Sequence, residues 1–423
     1  MYGAPPRAIL NKGRAPKGLR HGKKEHNVKY DFDRVVERYG TYSAKWDSIR
    51  LLMPPTDKPI LPLMVADMDF RTAQPILDAM HRVADFGMYG YTAAWAEPEY
   101  AASVVRWFRQ RFGWEFGPEA VVYSNGTIEA LNCAVRTFSN VGDGVILCRP
   151  VYGHFTQAIE GECHRRVVDC HLLCDEAGRY TVNFEELEAL CADPANRIFV
   201  LCSPHNPIGR VWTKEELRRM AAICRDHKVL LVSDEVHCDI RRRGVVHYPV
   251  ASLVSDQSNI ITLTAVNKSF NLAGLQCSNA IIPDPFLRAR FQREFGDRMP
   301  TPFAVAALIA AYGQGGEWLE QVNEYIDGNI DFVLDFLKQN LPWVKAGRPE
   351  GTYILWLDFS ASGLTDAEIH TRIYDKALVL AQDGVVHDPG QGQGFQRICV
   401  PCARSVLAEA MQRIAAEFTD IKR

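Results

Sequence analysis

Five short runs in this chain are apolar or β-branched along almost their whole length: VVYS (121–124), GVILC (144–148), IFVLC (198–202), VLLVS (229–233) and IITLTA (260–265). Successive side chains of a strand point to opposite faces, so a run with no polar face is buried on both sides. Helical patterns separate the runs, for instance IEALNCAVRTF (128–138) and TKEELRRMAAICRDH (213–227). In the second, Leu217, Met220, Ala221 and Cys224 share one face, and Thr213 with Glu216 makes a capping box. Strand and helix alternating in this way predict an α/β fold, a large and mostly parallel sheet with helices on both faces. After about residue 315 the pattern changes. A long helix near 317–340 leads to the strand-like runs TYILWLDF (352–359), ALVLA (377–381) and FQRICV (395–400), then to a last helix, SVLAEAMQRIAAEF (405–418). That predicts a smaller α+β domain. The expected organisation is an arm over 1–30, a segment over 31–75 that joins the small domain, a large α/β domain over 76–315 and a C-terminal α+β domain over 316–423.

Composition removes several classes of function. A formal net charge of −3 over 423 residues predicts no nucleic-acid partner and no membrane surface. No apolar run reaches the length of a membrane span, and the N-terminus has no apolar signal core. The twelve cysteines are scattered singly through apolar runs, which predicts buried free thiols in a reducing, cytoplasmic compartment. Cys399-x-x-Cys402 has no second pair at zinc-finger distance, and no metal site is expected. Residues 1–30 are rich in Gly, Pro, Lys and Arg with Glu25 as the single acid, the make-up of a flexible basic arm.

Ligands of open α/β sheets bind at the carboxyl ends of the strands. Asn125-Gly126-Thr127 follows the first run, either a plain helix start or a cradle for a phosphate on free N–H groups. Arg149-Pro150-Val151-Tyr152 follows the second, and its tyrosine is either a packed rim residue or a plate for a flat cofactor. His205-Asn206-Pro207 follows the third, a rigid turn whose amide can donate and accept. Asp234-Glu235-Val236-His237 follows the fourth. A carboxylate at a buried strand end needs a positive partner, such as a protonated pyridine. Val266-Asn267-Lys268 follows the fifth, and a partly dry lysine there can act as an amine nucleophile. Asp234 and Lys268 could equally form a buried ion pair.

The series SNGT, PVY, SPHNPIGRVW, SDEVH and NKSFNLAGL resembles the fold type I superfamily of pyridoxal-5′-phosphate (PLP) enzymes, the aminotransferase-like group. Within it the chain is similar to MalY/PatB-type carbon–sulfur lyases, or cystathionine β-lyases. GTYSAKWD (40–47), LPLMVADMDF (61–70), YGYT (89–92), EGTYILWLDF (350–359) and Arg397 carry that likeness across about 30–418. The resemblance implies PLP carried as a Schiff base on Lys268, which later moves the Cα proton. It further implies Asp234 on the pyridine nitrogen, Asn206 on the ring hydroxylate and on the substrate, and Tyr152 stacked on the ring. His237 would border the cofactor. Gly126, Thr127 and Thr264 would hold the phosphate, Arg397 would clamp the substrate α-carboxylate, and Tyr91 would reach the phosphate from the other subunit of a homodimer with shared sites.

His237, where aminotransferases usually have Tyr, and Gln276, where they have Arg, lean toward lyases. The expected reaction is β-elimination from an L-cysteine S-conjugate such as cystathionine, giving thiol, pyruvate and ammonia. The alternative is transamination, or a specialised biosynthetic PLP reaction on an amino acid. Met64, Asn267, Cys399, Pro401 and the stretch 383–395 depart from the lyase pattern and are expected to face substrate.

Overall fold

The computed structural model describes residues 29–53, 56–92, 97–296 and 298–421, and the described residues from 31 onward group as one compact unit. The arm predicted for 1–30 lies outside the described residues but for its last two.

The five apolar runs are strands of a seven-stranded sheet: β1 (Val121–Ser124), β2 (Gly144–Arg149), β4 (Asn196–Cys202), β5 (Leu230–Asp234) and β6 (Ile260–Ala265). Two further strands, β3 (Arg166–His171) and β7 (Ser278–Ile281), complete the order β1-β7-β6-β5-β4-β2-β3. Only β7 runs antiparallel to its neighbours. The composition of these two strands hid them. β3 is an edge strand with two exposed positions and a single buried one. In β7 the buried Ser278 pairs with Ser124, and the buried Asn279 accepts from the Tyr100 hydroxyl.

Helices on the sheet follow the amphipathic patterns. Helix Thr127–Phe138 buries Ala130, Leu131, Ala134 and Val135 in a cluster with Leu147, Val200, Val232 and Leu263, roofed by Phe291 and Phe295. Helix Lys214–Asp226 starts on the capping box expected from Thr213 and Glu216.

The C-terminal part holds a four-stranded antiparallel sheet with Ile354–Asp358 and Phe395–Cys399 at its centre, flanked by Lys345–Ala346 and Gln382–Asp383. The run ALVLA does not join it. Only Val379–Leu380 is strand, and it pairs in parallel with Leu61–Pro62. Arg397 sits opposite Trp356 and Gln382, and directly paired residues share a face. Leu355, Leu357 and Ile398 fill the other face. The segment after Pro62 then crosses the strand ends of the large sheet, with Leu63 bonded through its backbone to Leu380 and Cys399.

Among the described residues no helix is long and apolar enough to cross a membrane, and no group of His, Cys, Asp or Glu could hold a metal ion. All twelve cysteines are free thiols, eleven of them buried and Cys174 exposed.

Candidate active site

The carboxyl ends of the parallel strands bring the predicted side chains together. β6 ends at Ala265, and one helical turn, Val266–Ser269, carries Lys268 back over the sheet edge. Its Nζ donates to the Ala66 carbonyl at 2.7 Å. Burial pushes the amine's pKa down, and Arg397 adds to this. Cys399, Asp67 and Asp234 pull the other way without reversing the shift. A lysine made less basic in this way is a usable nucleophile and proton carrier.

Asp234 ends β5, and its own backbone carbonyl accepts from Ser203 at the end of β4. Its carboxylate accepts one N–H, from Val236 at 3.1 Å. Burial raises its pKa to about 6, with the Val236 bond and Lys268 opposing. A buried acid left with so little compensation is suited to a cation that the chain itself does not supply.

Asn206 is buried on the turn after β4, and its Oδ1 accepts from Arg397 Nη1 at 3.4 Å. Arg397 also donates to the Met64 carbonyl and approaches Cys399 Sγ, while its buried Nε has no partner. Tyr152 is partly buried, its ring edge-on to Phe155 and stacked on His154 with centroids 4.9 Å apart. His237 is buried with Nδ1 unpartnered, and burial together with Lys268 and Arg397 pushes it well below its ordinary pKa, so it is neutral.

Helix Thr127–Phe138 has no side-chain cap at its N-terminus, and a Cβ at Gly126 would meet nothing within 4 Å. That leaves free N–H groups facing open space, a ready anion site. Thr264 is fully buried one residue inside the end of β6, its Oγ1 without a partner. These features fit PLP. An open helix N-terminus suits its phosphate, an under-compensated acid its ring nitrogen, a tyrosine plate its ring and a lysine its aldehyde carbon. Tyr91 stands apart, 99% exposed beside Met88, Pro302, Val305 and Ile309.

Sequence reasoning marked the segment 61–70 by its likeness to the lyases but gave its backbone no role. Met64 and Ala66 contribute carbonyl oxygens, which no side-chain motif signals. It also assigned no role to Tyr353, which donates to the same Ala66 carbonyl at 2.8 Å.

Several departures from the lyase pattern make contacts within the protein. Met64 packs its side chain against Ile49, Ile60 and Leu380. The amide of Asn267 lies by the Leu272 and Cys277 carbonyls. His387, in the 383–395 stretch, is buried between the Val151 carbonyl and Gln382. Pro401 accepts from Asp69 through its carbonyl. Cys399 borders the cluster, its Sγ 3.8 Å from Arg397.

Comparison with known proteins agrees with this geometry. Residues 58–414 match the family model "Aminotransferase class I and II". Cystathionine β-lyase PatB of Bacillus subtilis is 40% identical, with 92% of this chain and 100% of PatB aligned. Protein MalY of Escherichia coli is 32% identical over 90% of this chain and 97% of its own length. The crystal structure of cystalysin from Treponema denticola, which contains pyridoxal 5′-phosphate, superposes with a TM-score of 0.89 at 34% identity, covering 93% of this chain and all of that one. The chain therefore belongs to the aminotransferase class I and II family, in the company of PatB and MalY.

Proposed function

We propose that the protein is a PLP-dependent carbon–sulfur lyase that removes the thiol from L-cysteine S-conjugates of the cystathionine kind, leaving pyruvate and ammonia. The observation that carries the reading is convergence. The depressed Lys268 amine, the under-compensated Asp234 and the Arg397 guanidinium with a free Nε meet at one strand-end cluster, in a chain of which 92% aligns with the whole of PatB.

The cofactor, when bound, supplies an electron sink for the charge left at Cα. Lys268 holds it covalently and carries the Cα proton. Asp234 would keep its ring nitrogen protonated, Tyr152 would lie against its ring, and Asn206 and the neutral His237 would border it. Gly126, Thr127 and Thr264 take the phosphate. Arg397 binds the substrate carboxylate through its planar fork, with Asn206 beside it, which aims the Cα–H bond.

The division into a large domain over 76–315 and a small one over 316–423, the latter joined by 31–75, belongs to the same reading. So does a homodimer. Phe86, Met88, Tyr89 and Tyr91 are exposed apolar residues next to a groove between helices Gln74–Phe86 and Pro302–Gln314. A second subunit covering that face would bring Tyr91 of the partner subunit to the phosphate. The free thiols suit the cytoplasm.

The test is a panel of L-cystathionine and S-alkyl-L-cysteines, scored for pyruvate and free thiol. Release of both in equal amounts is the expected result. Transfer of the amino group to a keto acid with no thiol released overturns the proposal in favour of an aminotransferase.

A further inference from the structure

The carbonyl oxygen of Ala66 accepts two hydrogen bonds, from Lys268 Nζ at 2.7 Å and from Tyr353 Oη at 2.8 Å. A carbonyl has two lone pairs, so these two donors saturate it. Ala66 sits on a strap held down on both sides. Arg397 takes the Met64 carbonyl, and Asn271 bonds both the N–H and the carbonyl of Met68. Asp67 and Asp69 are paired with Arg38 and the fully buried Lys45. Tyr353 is itself wholly buried, its ring edge-on to His237 with centroids 5.5 Å apart. Burial holds the phenol well above its ordinary pKa, so Oη remains a donor at any working pH.

We propose that Tyr353 is a positioning residue for Lys268. By filling one lone pair of the Ala66 carbonyl, it sets how that carbonyl holds the lysine amine whenever the amine is free of the cofactor. The proposal rests on Lys268 being the cofactor-bearing lysine and adds what orients it. One N–H fixed on Ala66 confines the nitrogen lone pair to the remaining directions, and aim matters for proton transfer. Sharing also draws electron density from the oxygen, so the carbonyl grips the charged ammonium less tightly than it would alone. Loss of the phenol hydroxyl therefore has two consequences. The lysine keeps its proton to higher pH, and when neutral it is less well aimed.

Tyr353→Phe removes one oxygen and retains the buried ring. The first measurement uses cofactor-free protein. Lys268 acetylation by acetic anhydride is followed against pH by peptide mass spectrometry, beside the melting temperature. The labelling midpoint is expected to move up by about half a unit, a roughly threefold smaller neutral fraction at neutral pH. The second uses loaded enzyme and L-alanine, which has no β leaving group. Exchange of its Cα proton with deuterated water should slow by about fivefold, the worth of one ordinary hydrogen bond, with half-saturation unchanged. A folded variant whose midpoint and exchange rate both match the parent overturns the proposal. So does a variant that only melts earlier, since a purely structural role moves stability and not the midpoint. Should the variant fail to fold, the parent still decides. Its Lys268 midpoint must lie below that of the surface lysines, and one at or above theirs overturns the proposal. Borohydride trapping on another lysine removes the underlying reading, whereas an unmoved midpoint and exchange rate with Lys268 trapped remove this proposal alone.

Discussion

Asp234→Asn in the cofactor-free protein isolates how the fold handles the acid that the ring nitrogen is expected to meet. Burial raises the Asp234 pKa from 3.8 to about 6. At 1.36 kcal/mol per pH unit, the ionised carboxylate costs the cofactor-free fold on the order of 3 kcal/mol. The folded-state pKa lies above the unfolded one, so the native state holds the proton more tightly. The stability this contributes is fully present below about pH 4 and is lost as pH rises through about 6. Asparagine cannot ionise and still accepts the Val236 N–H. Stripped of cofactor, the Asp234→Asn protein should therefore be more stable than the parent at about pH 8, by up to roughly 3 kcal/mol, and nearly equal to it at about pH 4. Urea unfolding of both proteins across that range, at one protein concentration, measures the difference and cancels every other titrating group. Loading with PLP should reverse the order, because only the carboxylate gains a charged partner. A cofactor-free difference that is flat with pH, or a parent more stable at about pH 8, refutes the reasoning.

Arg397→Lys keeps a positive charge but loses the planar fork, so kcat/KM should fall about a hundredfold or more while cofactor absorbance stays unchanged. Steady-state kinetics beside a spectrum checks this, and normal turnover by the lysine variant sinks it. Borohydride reduction and peptide mapping should place the pyridoxyl group on Lys268, and a label elsewhere removes that assignment. Mixed subunits carrying Tyr91→Phe and Lys268→Ala should regain activity, since each hybrid dimer contains one site with both residues. Demonstrated exchange of subunits without regain would count against shared sites.

The strands and the residues at their carboxyl ends were legible in the sequence because burial on both faces demands a continuous apolar run, and such runs do not depend on distant partners. All five predicted runs became strands of one sheet, and Asp234, Lys268, Asn206 and Tyr152 sit at the ends where they were expected. β7 escaped notice because its buried Ser278 and Asn279 are acceptable only once Ser124 and Tyr100, far away in the chain, supply hydrogen bonds. The departing residues show the same limit. Met64, Asn267 and the stretch 383–395 were expected to face substrate from residue type alone, whereas their contacts come from the fold: Met64 packs on Ile49, Ile60 and Leu380, the Asn267 amide lies by the Leu272 and Cys277 carbonyls, and His387 meets the Val151 carbonyl.

What the sequence by itself determined is the set of chemical groups and the sheet that carries them, since periodicity and strand-end residues are local properties. Only the tertiary structure decided how those groups are tuned. The loss of basicity at Lys268 and the gain at Asp234 come from burial. Arg397 reaches Asn206 from 191 positions away, and Ala66 receives both Lys268 and Tyr353 through a backbone oxygen. Desolvation and long-range contacts belong to the folded chain as a whole, and a backbone carbonyl is the same atom at every residue, so no reading of residue types could have selected them.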